Sequence, residues 1–183
     1  MSKKKFLSEV FKSGGTIGAL SPSSSFLAEK MLNPINFKSA NCIVEFGPGT
    51  GVFTHKLLEK MNPDALLLTF EVNTQFSEDL KKIKDKRLVV INDSAEKIQD
   101  YLKQYNQNSA DYIISSLPFA VIPDDVVNTI LTNSDNALSE NGKYIQFQYS
   151  LNAKEKLKSF FSEVKINFTF LNLPPAFIYV CNK

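Results

Sequence analysis

The sequence predicts an α/β fold: a mostly parallel sheet of seven strands, covered by helices on both faces, with an antiparallel last strand. Three observations predict it. From residue 41 onward, short apolar runs alternate with helical stretches, the pattern of βαβ units. A glycine-rich segment separates the first run from its helix, at a strand's carboxyl end, where such sheets build ligand sites. The final two runs are joined only by Asn172-Leu173-Pro174-Pro175, too short for a crossover, so they are antiparallel neighbours.

Ahead of the sheet, residues 3–12 predict a short amphipathic helix. At about 100° per residue, Phe6, Leu7, Val10 and Phe11 fill one arc, while Lys4, Lys5, Ser8, Glu9 and Lys12 fill the other. Ser13-Gly14-Gly15 stops it. Ser21-Pro22 reads as an N-cap and first helical residue, opening a helix to about Leu32 that Asn33-Pro34 ends. Residues 42–46 are the first strand, and the helix after the glycines carries Phe53, Leu57, Leu58 and Met61 on one face. Residues 65–71 are the second strand, followed by a polar helix to about Lys84. Residues 88–92 are the third, followed by a helix over 95–105. Residues 110–116 are the fourth, with a helix from Pro123 through Leu131 toward Leu138. Asn141-Gly142 turns into the fifth strand, 143–150. A lysine-rich helix over 152–160 precedes the last two strands, 164–171 and 176–181.

Length and composition bound the reading. The 183 residues suit one domain, with an N-terminal helical segment (1–32) and an α/β core (41–183). Apolar runs fall far short of the ~18 residues a membrane span needs, and no continuous apolar stretch of ~7–15 residues follows the N-terminal lysines. The chain is therefore expected to stay in the cytoplasm. Two cysteines far apart, one histidine and no Cys-x-x-Cys encode neither a redox pair nor a metal site. His55 reads as a packed or solvated helical residue. Of 21 basic residues only Arg87 is an arginine, the usual reader of phosphates and guanine edges, and the pI is about 8.4. Both weaken a nucleic-acid reading.

Four strand ends carry chemistry. Val44-Glu45-Phe46-Gly47-Pro48-Gly49-Thr50-Gly51 spaces its glycines as Gly-x-Gly-x-Gly, unlike the dinucleotide fingerprint. Glycine lets a ligand approach where a Cβ would clash, and Glu45 suits a cationic ligand better than a pyrophosphate. Glu71 ends the second strand and can take both hydroxyls of a ribose. Asp93, in Asn92-Asp93-Ser94-Ala95, either accepts from an adenine amino group or caps the next helix. Ser115-Ser116-Leu117-Pro118-Phe119 ends strand four. There proline removes an amide proton and leaves carbonyls as acceptors, which suit an amine nucleophile.

Together these stretches resemble the class I S-adenosylmethionine-dependent methyltransferases, with their Rossmann-like seven-stranded sheet. More closely, the chain is similar to the bacterial phospholipid N-methyltransferases that act on phosphatidylethanolamine, relatives of the ribosomal RNA adenine dimethylases. The resemblance also covers Ile17-Gly18-Ala19-Leu20-Ser21-Pro22-Ser23-Ser24 and Asn172-Leu173-Pro174-Pro175-Ala176, so it spans nearly the whole chain. It implies S-adenosyl-L-methionine as cofactor, with Glu45, Gly47, Gly49 and Gly51 around the methionine part. Glu71 and Val72 then lie at the ribose, Asp93, Ser94 and Ala95 at the adenine, and Ser25, Leu27 and Ser115 also touch the cofactor. Ser115, Leu117 and Pro118 are the expected catalytic residues, orienting the nitrogen mainly by backbone carbonyls. Phe119, Tyr149 and Tyr179 are the expected substrate residues, caging a methylated ammonium by cation–π attraction.

Two departures favour a flexible lipid amine over a flipped base. Adenine dimethylases read Asn-Leu-Pro-Tyr where this chain has Ser116-Leu117-Pro118-Phe119, and they carry a helical C-terminal RNA domain, whereas this chain stops at Lys183. The expected activity is methylation of a phospholipid headgroup amine such as that of phosphatidylethanolamine; an ornithine lipid would use the same chemistry. The alternatives are RNA adenine N6 methylation and a lipid- or cofactor-binding protein without turnover. Residues 3–12 can be read as a peripheral contact with the anionic inner face of a membrane, or as an ordinary packed helix or a flap over the cofactor.

Overall fold

A computed structural model describes residues 22–170, 172 and 174–183; the amphipathic stretch at 3–12 and the motif at 17–21 lie outside them. The first helix of the described residues, α1 (Pro22–Leu32), begins on the proline expected to open it. Strand β1 (Cys42–Phe46) then leads through the glycines into α2 (Val52–Lys60), and β2 (Leu66–Phe70) into α3 (Thr74–Leu80). β3 (Leu88–Ile91) is followed by a 3₁₀ turn (Ala95–Lys97) and α4 (Ile98–Gln104). β4 (Ala110–Ser115) leads through a second 3₁₀ turn (Phe119–Val121) to α5 (Asp124–Ala137). β5 (Leu138–Gln148), a third such turn (Leu151–Ala153), α6 (Lys154–Lys158), β6 (Glu163–Thr169) and β7 (Ala176–Asn182) complete the order.

The seven strands form one sheet in the order β3-β2-β1-β4-β5-β7-β6. β7 runs antiparallel to both β5 and β6; every other pairing is parallel. The central strands read as continuous apolar runs because both their faces are buried. In β1, Cys42, Val44 and Phe46 face a core with residues of α4, α5 and α6, and Ile43 faces a second core with α1 and α2.

Three elements differ from expectation. α3 stops at Leu80 rather than near Lys84, because the lysine-rich stretch leaves the helix through i→i−3 bonds from Lys82 to Asp79 and Ile83 to Leu80. The helix expected over 152–160 is one turn of 3₁₀ followed by the five residues of α6. β5 begins at Leu138, not Lys143. Its register on β4 jumps from Ala110 opposite Leu138 to Tyr112 opposite Lys143, so residues 139–142 form a bulge. A Cβ at Gly142 would stand 2.9 Å from the Ser139 carbonyl oxygen, which keeps that bulge for glycine.

Candidate functional site

Parallel neighbours end at the same edge, so the carboxyl ends of β3, β2, β1 and β4 lie side by side. The predicted residues follow from those ends, and a small cleft open to solvent lies among them. Gly47, Glu71, Asp93 and Ser94 give it polar edges; Phe70, Val72, Ala95, Leu117, Ile122 and Ile130 give it apolar walls. Seven of the residues expected from the sequence thus meet at one cavity: Gly47, Glu71, Val72, Asp93, Ser94, Ala95 and Leu117.

The loop between β1 and α2 holds its shape through left-handed glycines. Gly51 (φ 85) lies in the left-handed region, where a side chain would be strained, and a Cβ there would also displace Leu80 Cδ2 at 2.9 Å. Gly49 (φ 55) differs: a Cβ there would meet nothing within 4 Å, so the space beside its backbone is open. The Gly49 N–H donates to Glu71 Oε2 at 3.1 Å, and the Asn73 N–H donates to Oε1 at 2.8 Å. One buried carboxylate therefore ties the glycine loop to the β2 end, and each of its oxygens keeps a further acceptor position. Burial raises the Glu71 carboxyl above its usual range, against the pull of the Asn73, Gly49 and Val72 amides.

Glu45 takes a different place. Alternation along β1 turns it away from the face of Val44 and Phe46, and it does not line the cleft. It is fully buried; Thr54 Oγ1 donates to its Oε2 at 2.7 Å, while Oε1 has no partner among the described residues. Burial pushes its carboxyl up to about 8; the Thr54 hydroxyl opposes this and the Glu71 charge adds to it. A folded-state pKa above the unfolded value gives stability that is fully present below about pH 4.5 and is lost as pH rises through about 8. Glu45→Gln is therefore expected to melt above the parent protein at pH 8.5 and level with it near pH 5. A difference independent of pH in thermal melts would contradict this assignment.

Asp93 is the acceptor of a local network and not the helix cap. Ser94 is the cap, its Oγ accepting from the Glu96 N–H at 3.3 Å and donating to Glu96 Oε2 at 2.9 Å. Asp93 Oδ1 accepts from the Ser94 N–H at 2.8 Å, and Oδ2 from Lys97 Nζ at 2.8 Å and Tyr101 at 3.2 Å. Burial works to raise this carboxyl, but Lys97 and the Ser94 amide bring it below its usual range.

At β4, Ser115 is buried and its Oγ accepts from the Leu117 N–H at 3.4 Å. The Leu117 carbonyl, expected from the sequence as a free acceptor, already takes two side-chain amides, from Gln146 (3.0 Å) and Gln148 (2.8 Å). The Pro118 carbonyl accepts from the Val121 N–H at 3.1 Å. The three aromatic residues expected to cage a cation are not brought together. Tyr179 is a core residue with its hydroxyl donating to the Ser150 carbonyl at 3.0 Å, because alternation in β7 turns it inward beside Cys181. Phe119 packs against the α5-side core, and Tyr149 is exposed, edge-on to Phe147, on the other face of the sheet. Leu27 packs in the α1–α2 core away from the cleft, and the Ser25 side chain lies outside the described residues.

Sequence reasoning missed Gln146 and Gln148. The Gln-x-Gln spacing on β5 was the available signal, since it sends two amides to one face of a central strand. His55 is exposed. Cys42 and Cys181 are buried free thiols, both pushed up to about 12 by burial, Cys42 also by Asp111. Among the described residues, no three His, Cys, Asp or Glu side chains are grouped to hold a metal, and no helix is long and apolar enough to cross a membrane.

A family model described as the methyltransferase small domain matches residues 10–169. An ornithine lipid N-methyltransferase of Singulisphaera acidiphila is 28% identical over 179 residues, 96% of this chain and 93% of that protein. The ribosomal RNA small subunit methyltransferase A of Borreliella burgdorferi is 34% identical over 102 residues, 52% of this chain and 32% of that protein. Among solved structures, the T. thermophilus 16S rRNA N2 G1207 methyltransferase in complex with AdoMet and guanosine has a TM-score of 0.66 at 16% identity. That match covers 92% of this chain and 44% of the other, and it is a likeness of fold.

Proposed function

The chain belongs to the methyltransferase small domain family and is an S-adenosylmethionine-dependent enzyme; on that premise we propose that its acceptor is the amine of a lipid headgroup. The observation that carries this reading is the extent of likeness: the lipid N-methyltransferase matches along nearly its whole length, whereas the RNA methyltransferase matches over a third of its own. Two features of the chain agree. Ser116 stands where an amide would serve a base, and the one arginine is engaged in the fold, its guanidinium on carbonyls of residues 58, 61 and 62.

The cleft suits the cofactor. Glu71 retains acceptor positions for two ribose hydroxyls, the Phe70, Val72, Ala95 and Ile122 walls suit a purine, and the open side of Gly49 lets a ligand approach the backbone. When bound, S-adenosylmethionine supplies a methyl group on a positively charged sulfur, which a nitrogen lone pair displaces.

The chain's own task is to present that nitrogen neutral and aligned. An amine with a lysine-like pKa of ~10.4 is neutral in about 1 of 2,500 molecules at pH 7, a cost of about 4.6 kcal/mol at ~1.36 kcal/mol per unit. Apolar walls such as Leu117 and Ile122 exclude water and lower that pKa. A strong general base is then unnecessary; the product ammonium releases its proton to solvent before any further round. The turn after β4 aligns the amine, so that proximity accounts for much of the rate. The lysine and phenylalanine pattern of residues 3–12 would bring the enzyme to an anionic bilayer.

Incubating the protein with S-adenosylmethionine labelled in its methyl group, bacterial lipid and, in parallel, structured RNA is expected to put the label in the organic phase. Chromatography then separates ornithine lipid from phosphatidylethanolamine. Label in the RNA alone, with binding that falls steeply with salt, would replace this reading by RNA methylation, for which the 34% match over 102 residues is the supporting observation.

A further inference from the structure

The edge at which the cleft opens has two halves of different chemistry. Toward β3 it carries the acids Glu71 and Asp93, both accepting hydrogen bonds from the chain. Toward β6 its links carry no charged residue. Asp, Glu, Lys and Arg make up 22% of the chain, yet five stretches of ten or more residues contain none of them: 13–28, 46–55, 112–123, 144–153 and 166–182. β7 is antiparallel to β5 and to β6, so β6 also ends at this edge. Four of the five stretches therefore cross it, leading from β1 to α2, from β4 to α5, from β5 toward α6, and from β6 to β7. The links at the opposite edge carry Lys38, Asp64, Lys86 and Glu140.

The same edge holds large apolar side chains in water. Of the six that are exposed among the described residues, five lie at it: Val121, Tyr149, Leu151, Phe168 and Phe170. The sixth, Phe26, is on α1, and Phe170 is 75% exposed. Single exposed apolar residues are ordinary, but a group of them in one place marks a contact surface. The Phe168 ring lies 5.0 Å from that of Phe177, which packs on the α5 side of the sheet. Tyr149 lies against Phe147 on the α1 side. The side chains thus leave from both faces, and the edge itself is the apolar surface. Val121 joins it to the cleft, because the next residue, Ile122, is one of the cleft walls.

We propose that this uncharged edge is a docking surface for a lipid bilayer, with its aromatic side chains at the boundary of headgroups and acyl chains. The inference rests on the reading of a lipid amine given above and deepens it, by naming the surface through which that amine is delivered. A charged side chain pressed into this boundary loses hydration, and a rim without charges avoids that cost. An RNA strand asks for the opposite, a rim of cations on its phosphates. A second copy of the chain seated here would cover the mouth of the cleft and shut the acceptor out. A bilayer presents the headgroup to the cleft and keeps the acyl chains in lipid. Charge returns at the margin, where Lys156 pairs with Asp124 at 2.9 Å. The contact is apolar, so it needs no anionic lipid and withstands salt, unlike one made by the lysines of residues 3–12.

The chain has no tryptophan, so Phe170→Trp places a lone reporter at this edge and Lys86→Trp places one at the opposite edge. Each full-length variant is mixed with phosphatidylcholine vesicles, which have no net charge and no primary amine, with or without bromine on the acyl chains. Phe170→Trp emission is expected to shift to the blue by about 10 nm or more and to lose about half its intensity to the brominated lipid. Lys86→Trp is expected to show neither change. Phe168→Ser combined with Phe170→Ser is expected to weaken vesicle binding about tenfold or more, at low and high salt alike. Its affinity for S-adenosylmethionine, measured by calorimetry, should stay within about twofold of the parent. No binding of the parent to these vesicles overturns the proposal, as does equal quenching of the two reporters. Binding that salt abolishes and the double variant leaves intact also overturns it, since the contact would then belong to residues 3–12. A blue shift without lipid, with a doubled mass in sedimentation, would mean that a second copy covers the edge instead. Quenching retained in a parent that labels RNA and no lipid supports the surface and overturns the reading of the acceptor alone.

Discussion

Glu71→Ala is expected to weaken S-adenosylmethionine binding at least a hundredfold, about 2.8 kcal/mol or more at ~1.4 kcal/mol per factor of ten. The residue does two things that alanine cannot. Its oxygens hold the Gly49 and Asn73 amides at 3.1 and 2.8 Å, fixing the glycine loop against the end of β2. Its remaining acceptor positions face a cleft in which the proposed ribose would bring two hydroxyls. Losing hydrogen bonds to a charged acceptor costs about 1.5–3 kcal/mol each, so two to the ligand alone reach the stated size. Glu71→Gln separates the two roles. It keeps shape and one acceptor, but its amino group must face either a backbone N–H or a hydroxyl that has to turn round, so an intermediate loss is expected. Calorimetric titration gives the affinities and thermal melts show that each variant is folded. Glu71→Ala binding within tenfold of the parent would move the ribose away from this carboxylate.

The sheet was legible because its central strands are buried on both faces: 42–46, 66–70 and 110–115 are mostly apolar, as are 88–91 and 176–181. The cofactor side of the site was legible for a related reason. In a parallel sheet the residues just past each strand share an edge, so Gly47, Glu71 and Asp93 could be placed together without knowing any contact. What was not legible depends on pairs distant in sequence. Gln146 and Gln148 drew no reading from the sequence, because Leu117, whose carbonyl takes their amides, lies 29 and 31 residues earlier. Tyr179 is expected from the sequence in a cation cage, and the place of β7 between β5 and β6 turns its ring into the core instead. The bulge at 139–142 looked like a turn before a strand because Asn141-Gly142 signals either.

Arg87→Ala is expected to lower the melting temperature by about 6–12 °C, from about 3 kcal/mol at ~2–4 °C per kcal/mol for a chain of this size. The reason lies at the end of α2, whose last carbonyls have no helical partner. Arg87 Nη2 donates to the Leu58 carbonyl at 2.7 Å, and Nη1 donates to those of Met61 at 2.7 Å and Asn62 at 3.3 Å. The other edge of the same guanidinium grips Asp85, Nε to Oδ1 at 2.9 Å and Nη2 to Oδ2 at 2.6 Å. Both side chains are largely covered, at 15% and 22% exposure, so the pair is only weakly screened. Arg87→Lys is expected to recover less than half of the loss, because a single ammonium cannot span three carbonyls and a carboxylate. The pH dependence has a definite sign. Arg87 holds the Asp85 carboxyl down to about 2, below its unfolded value of 3.8, so this stabilisation is present above about pH 4 and is lost as pH falls toward 2. The gap between parent and Arg87→Ala should therefore narrow in melts taken from pH 4 down to pH 2. A gap under 2 °C at pH 7 would show that the guanidinium is dispensable to α2. The single arginine would then be free for the phosphate contacts that a nucleic-acid substrate demands.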